Sequence, residues 1–211
     1  MIVVIDGTAA SGKGTLAKFL AKYYGCEFLP TGSLYRIVAK NLIEKGVDLN
    51  KFILAPLKIN LMHVLERKDV LDTNLGSDII SKAASKLAKV TAIRRVLTKY
   101  QQEWIKKRRV AIVEGRDIGT VVWPEAKIKL FLIADPKVRA TRRAHQLHEG
   151  GSIAPEAEIY AHLLERDKRD RNRKVAPMKM AKDAILLNTT NLTIGEMQRK
   201  AAQLIDKTYA I

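Results

Sequence analysis

A three-layer α/β fold around a central parallel sheet is what three features of this chain predict. Short, fully apolar and largely β-branched runs recur along it, as buried parallel strands do. Segments of helical periodicity separate them, so strand and helix alternate. The first run also meets a glycine-rich turn that opens directly into a helix. With 211 residues the chain can enclose one full core, and 47% apolar with 6% aromatic residues fits a globular domain. No window approaches the roughly 18 apolar residues of a membrane span, so no membrane association is expected. Residues Met1–Ile5 meet Asp6 before a signal-peptide core can form, and they read as a strand. Cys26 is the sole cysteine, which excludes an internal disulfide and points to a reducing, cytoplasmic setting.

Taken in order, Ile2–Ile5 is the first strand, and Leu16, Phe19, Leu20 and Tyr23 give a helix that stops near Gly25. Glu27–Leu29 is a second short strand, and Ser33–Lys45 a helix closed by Gly46. Residues Leu49–Ser81 are expected to form a small insertion with a loop around Thr73–Ser77. Helical periodicity returns at Ser81–Lys89 and Ala92–Lys107, followed by strands at Val110–Val113 and Lys127–Ala134. Asp135-Pro136 is an N-cap with proline in the first helical position, starting a helix to about Leu147. Gly150-Gly151-Ser152 breaks it, Pro155 restarts one to about Lys168, and Ala184–Leu187 is a last strand. Thr193-x-x-Glu196 is a capping box for the C-terminal helix. No internal repeat or low-complexity tract argues for a second independent domain.

A net charge of +16 predicts an anionic partner. Nucleic acid, an anionic surface and a phosphorylated small molecule all meet that condition. Basic residues concentrate at Arg94-Arg95, Lys106–Arg109, Arg139–Arg143 and Arg166–Lys174. In the last run Asp167 and Asp170 alternate with arginines, which suits a shaped site better than a polyanion track.

Gly7-Thr8-Ala9-Ala10-Ser11-Gly12-Lys13 has the glycine-x4-glycine-lysine spacing between a strand and a helix, the context that motif requires. Its glycines let backbone N–H groups turn toward phosphate oxygens, the helix N-terminus adds positive potential, and Lys13 reaches the terminal phosphates. Gly14 stands where most phosphate-loop enzymes place a hydroxyl, and Thr15 follows. The run Gly12-Lys13-Gly14-Thr15 resembles that of nucleoside monophosphate kinases. It leaves Thr15 as the candidate Mg²⁺ ligand, with water and nucleotide phosphates supplying most of the coordination.

Four further runs extend the resemblance: Thr31-Gly32-Ser33-Leu34-Tyr35-Arg36; Ala83-Ala84-Ser85 with Arg94; Glu114-Gly115-Arg116-Asp117-Ile118-Gly119-Thr120-Val121-Val122; and Glu165–Arg173. Together they resemble the bacterial cytidylate kinases from Ile5 to about Thr190. That resemblance implies a single P-loop kinase domain with a core of 1–35, 82–145 and 170–211, a nucleotide-binding insertion near 36–81 and a helical lid near 146–169. It implies ATP as donor, CMP or dCMP as acceptor and Mg²⁺; a monomer and no specific nucleic-acid partner are expected. Arg36 and Arg116 would hold the acceptor phosphate, since guanidinium matches phosphate bidentately. The resemblance assigns the cytosine edge to Asp117 and Arg94, supported by Arg173 and Thr31, and the sugar to Ser85, Arg166 and Asp170. Ser85 reads equally as a small helix-packing residue.

The arginines flanking the Gly150-Gly151 turn, Arg139, Arg142, Arg166 and Arg169, are candidates to close over ATP and stabilise the charge of the transferring group. Arg143 is either a fifth or a solvated helix face. Asp6 either supports the site or caps a turn, Tyr35 reads as packing, and Glu114 is a candidate for a water-mediated metal contact. Two departures from the family stand out: Pro30 where an aspartate is usual, and a short segment between Lys58 and Ser81. The alternatives are another nucleoside monophosphate or small-metabolite kinase and, from a different class, a basic nucleic-acid-binding protein with a vestigial loop. The base-edge residues disfavour the first. The second lacks an aromatic stacking strand or recognition motif.

Overall fold

The structure, a computed structural model, describes residues 1–48, 75, 77–149, 151 and 154–209. The expected insertion and its loop fall mostly outside these, as do two of the three residues of the Gly150-Gly151-Ser152 turn. The chain divides into two compact units, Met1–Leu29 with Lys107–Ile211, and Pro30–Lys106. The sequence had drawn the acceptor-binding insertion at 36–81, inside the second of these.

The first unit is built on five strands: β1 (Ile2–Gly7), β2 (Glu27–Pro30), β3 (Ala111–Glu114), β4 (Ile128–Ile133) and β5 (Ile185–Asn188). Their order is β2-β3-β1-β4-β5, and β1 pairs in parallel with both β3 and β4, as β4 does with β5. Val3, Val4 and Ile5 are wholly buried, so β1 is covered on both faces, which explains its uninterrupted apolar sequence. The strand order reverses at β1, and in an open parallel sheet that is where a crevice forms beyond the carboxyl ends of the strands.

Helix α1 (Lys13–Tyr23) follows β1, and the C-terminal helix (Ile194–Tyr209) packs beside it. Leu16, Leu20, Met197, Ala201 and Ile205 from these two helices close over Val3, Ile5, Ile112, Leu130 and Leu132 of the sheet. The C-terminal helix starts as the capping box predicts. Its Thr193 hydroxyl accepts from the Glu196 amide at 3.2 Å, while Glu196 accepts from the Thr193 amide at 2.8 Å.

Two helices form a hairpin beyond β4, α5 (Pro136–Glu149) and α6 (Glu156–Asn172). Asp135 caps the first by accepting from the Lys137 amide at 2.8 Å. The second runs four residues past its expected end. Its charged tail stays helical because Asp167 and Asp170 turn to the buried side and find partners there. A single π-helical turn, Ile118–Val122, was not foreseen; Val122 and Trp123 each donate five residues back, to Asp117 and Ile118.

The second unit contains α2 (Thr31–Glu44), α3 (Asp78–Leu87) and α4 (Thr91–Lys106). Pro30 occupies the N-cap of α2 and provides no side-chain cap, having no side-chain acceptor to offer. Among the described residues no helix is long and apolar enough to cross a membrane.

Gly7 marks the closest backbone approach. A Cβ there would lie 2.0 Å from the Leu132 carbonyl oxygen, and its φ of 139° already excludes most side chains. Gly7→Ala should therefore lower stability by about 3 kcal/mol or more, a melting shift of roughly 6–12 °C. Gly25→Ala should cost only about 1 kcal/mol, because its φ of +58° is unfavourable but nothing lies within 4 Å. Thermal denaturation of the two variants side by side checks the contrast.

Candidate active site

Gly7 leaves β1 and the backbone turns at once into the loop. Ala10 (φ 55°) and Gly12 (φ 91°) take left-handed conformations among ordinary ones, the alternation that makes a concave array of amides. An alanine at φ 55° costs about 1–2 kcal/mol, so neighbouring contacts must hold it there. Thr8 donates its amide to the Leu132 carbonyl at 3.1 Å, and the Ser11 hydroxyl donates to the Thr8 carbonyl at 3.0 Å. The Thr8 hydroxyl is buried with no partner among the described residues, a donor left over for a ligand. Lys13, the first residue of α1, donates to the Thr8 carbonyl and lies 4.0 Å from Glu114 at the end of β3. Burial, with Arg116 and Arg166 nearby and only partly offset by Glu114, pulls its pKa from 10.5 down to about 7.

The Asp117 carboxylate accepts from Arg173 Nη2 at 2.9 Å in a buried ion pair. Beside it, Arg116 Nε donates to Asp170 at 3.2 Å, and Arg116 Nη1 lies 3.9 Å from Glu114. Burial alone would lower the Arg116 pKa, but these carboxylates outweigh it and raise it, so the guanidinium stays charged. Asp6 accepts the Ile118 and Gly119 amides at 3.0 and 2.8 Å, the first free donors of the π-turn that follows Asp117. Burial still pushes its pKa up to about 7. Of the two roles open to Asp6 in the sequence, turn capping is the one its bonds describe, and the capped turn carries Arg116 and Asp117.

The arginines expected over ATP divide in two. Arg139 is 2% exposed and fully engaged: Nε donates to the Ala134 carbonyl at 3.0 Å, and Nη1 to the Ala9 carbonyl at 2.9 Å and to Asp167 at 2.6 Å. Arg142 donates to the Thr189 hydroxyl at 3.1 Å and the Thr189 carbonyl at 2.7 Å. Arg166 is half-buried and contributes to the field at Lys13. Arg169 bonds along its own helix to Glu165, 3.4 Å away.

A cleft of about 420 Å³ opens beside the loop, lined by Gly12, Thr15, Arg142, Leu192, Ile194 and Met197 among others. Thr15 is exposed at this cleft. A Cβ on Gly14 would lie 4.0 Å from the Glu114 carboxylate, so that acid sits beside the start of α1. Among the described residues no cluster of three or more His, Cys, Asp or Glu could hold a metal. One hydroxyl and one nearby carboxylate fit a Mg²⁺ ion carried mainly by phosphate oxygens and water.

In the second unit Arg94 is buried, donates to the Ala88 carbonyl at 3.3 Å and lies over the Tyr35 ring, 5.8 Å from its centroid. Tyr35 therefore packs against a proposed base-contacting residue. Ser85 is buried, and its hydroxyl has no partner among the described residues. Thr31 is buried and Arg36 half-buried on α2.

Two residues were missed. Thr189, at the end of β5, donates its hydroxyl to the Ser11 carbonyl at 3.0 Å and receives Arg142. Its place just past a strand end was the available signal. Asp167 was noted only as a charge among arginines. The spacing Asp167, Asp170, Arg173 on one helical face was the signal there.

Lys13 predicts a proton linkage. Its charge is disfavoured in the free protein, and polyphosphate would restore it by raising the pKa. At about pH 8.5, ATP binding should take up close to one proton, and at about pH 6, where Lys13 is already charged, close to none. Titration calorimetry in buffers of different ionisation enthalpy measures this, and Lys13→Gln should abolish the uptake.

A family model described as cytidylate kinase matches residues 3–207. Curated proteins named cytidylate kinase include one from Afipia carboxidovorans, 42% identical over all of this chain and 99% of its own length. Another, from Brucella melitensis, is 44% identical over 99% of this chain and 94% of its own. Among solved structures, a gluconokinase from Sinorhizobium meliloti superposes with a TM-score of 0.52 at 16% identity, covering 99% of this chain and 95% of that one. TT1252 from Thermus thermophilus gives 0.52 at 17% identity, covering 98% and 97%. At such identities these two speak for the fold alone.

Proposed function

The chain belongs to the cytidylate kinase family, and we propose that it transfers the γ-phosphoryl group of ATP to CMP or dCMP, giving ADP with CDP or dCDP. The observation that carries this is a phosphate loop and its Lys13 set beside the Arg116–Asp170 and Asp117–Arg173 pairs, at the carboxyl ends of the strands. The first element grips polyphosphate. The second offers a phosphate-binding arginine next to a buried carboxylate able to read a base edge.

The loop amides and Lys13 hold the β- and γ-phosphates, and the cleft beside Gly12 and Arg142 takes the nucleoside end of ATP. Thr15 and, through water, Glu114 would hold a Mg²⁺ ion, which would supply charge neutralisation on the phosphate oxygens. Arg116 leaves its present partner Asp170 for the acceptor phosphate, and the freed Asp170 accepts from a ribose hydroxyl. For Arg36 at the acceptor phosphate, Ser85 at the sugar, and Arg94 and Thr31 at the base, the family resemblance is the support. The acceptor is already an ionised phosphate, so no general base is needed and catalysis is positioning and electrostatics. Arg142, Arg166 and Arg169 are proposed to bear on the donor phosphates.

Asp117 accepts from the cytosine amino group while Arg173 holds the carboxylate in place. Uracil presents a carbonyl there and would leave the buried carboxylate facing an acceptor, the arrangement by which a polar pocket discriminates strongly. Asp117→Asn keeps an oxygen for Arg173 and adds an N–H donor suited to that carbonyl. Its kcat/KM ratio for CMP over UMP should fall at least about tenfold, with the UMP value rising. Steady-state kinetics with both acceptors test this. An unchanged ratio would remove Asp117 from base recognition.

A further inference from the structure

The Asp167 carboxylate is 2% exposed, reaches the phosphate loop, and has no part in the proposed contacts with nucleotide. Its Oδ1 accepts the Ala9 amide at 3.0 Å, across 158 residues of sequence. Its Oδ2 accepts from Arg139 Nη1 at 2.6 Å, and the same nitrogen donates to the Ala9 carbonyl at 2.9 Å. Arg139 is anchored in turn through Nε on the Ala134 carbonyl at the end of β4. Both polar groups of one loop residue are thus held by a single buried ion pair.

We propose that the Asp167–Arg139 pair is a positioning clamp that sets the orientation of the Ala9 peptide, and through it the phosphate-binding geometry of the loop. The reasoning is steric and electrostatic. The Ala9 amide is committed to α6, so the cradle is formed by the residues after it, where Ala10 at φ 55° and Gly12 at φ 91° reverse the backbone. Ala10 resists that conformation, and a peptide fixed on its N-terminal side prevents it from relaxing. Apolar packing reinforces the clamp. Ala9 and Ala10 sit against Ala140, Ala144, Ile159 and Leu163 of the α5–α6 hairpin. The base of the hairpin is therefore fastened to the loop it was expected to swing over, and any closure must take place beyond Asp167. Arg139 belongs to this clamp, which departs from its expected place among the arginines touching ATP.

The clamp rests on the loop being the ATP site but not on the identity of the acceptor. Asp167→Asn removes the charge facing Arg139, and Arg139→Lys keeps that charge but cannot donate at once to Asp167, Ala9 and Ala134. Both should raise the KM for ATP and the dissociation constant of ADP about tenfold while leaving the KM for CMP within about twofold. In ¹H–¹⁵N spectra the Ala9 amide should move upfield as its carboxylate acceptor is lost or displaced. A charged residue left unpaired in a core endangers folding. Arg139→Lys retains a cation opposite Asp167 and carries the test if Asp167→Asn does not fold. Unchanged ADP affinity despite a shifted Ala9 resonance would reduce the pair to a structural contact and overturn the proposal, as would equal increases in both KM values. ADP binding is read without an acceptor. A wild-type protein that binds ADP but does not phosphorylate CMP would therefore count against the acceptor assignment and not against the clamp.

Discussion

Between Gly7 and Gly12 the backbone is fastened at four points before α1 begins. The Gly7 Cα lies against the Leu132 carbonyl, Thr8 bonds to that same carbonyl, Ala9 is held by Asp167 and Arg139, and the Ser11 carbonyl accepts from Thr189. These contacts come from β4, the hairpin helices and the end of β5. The loop needs that number of supports because a cradle of inward amides is itself unfavourable: it uses left-handed backbone and leaves donors without protein partners. Sheet topology brings the supports together, since the carboxyl ends of β1, β4 and β5 lie side by side.

Helix α6 extends the same logic across the site. Asp167 and Asp170 of the helix and Arg173 at its C-cap follow at intervals of three, and each is buried against a different group: the loop, Arg116, proposed to bind phosphate, and Asp117, proposed to read the base. Charges in such places are costly to desolvate unless paired, and here Asp170 and Arg173 pair with Arg116 and Asp117 after β3, while Asp167 pairs with Arg139 of α5. Stability and recognition therefore draw on the same contacts. Under the proposed function Asp170 gives up Arg116 for nucleotide, whereas Arg173 stays on Asp117 and Asp167 keeps its partners on the loop.

Much of this was legible in the sequence where local chemistry dictates structure. The apolar run Val3–Ile5, the capping box at Thr193 and the N-cap at Asp135 each specify an element by themselves, and each forms. The phosphate loop was legible because its glycines and lysine follow one strand directly. What stayed hidden depends on distant residues. The π-turn at Ile118 is stabilised by Asp6, more than a hundred residues earlier in the chain. Arg139 looked like a solvated or ligand-facing cation because its partners, Ala9, Ala134 and Asp167, are separated in sequence. Thr189 has no motif of its own and gains importance only because β5 pairs with β4.

The central claim is that the chain moves phosphate from ATP to a cytidine nucleotide and does not merely hold or hydrolyse ATP. Phosphorus NMR of a mixture of ATP, CMP, Mg²⁺ and the protein measures it most directly, since ATP, ADP, CDP and inorganic phosphate give separate resonances. CDP should appear in equal amount with ADP while inorganic phosphate stays at background, and Lys13→Ala should suppress both products. ADP forming with inorganic phosphate and no CDP would contradict it.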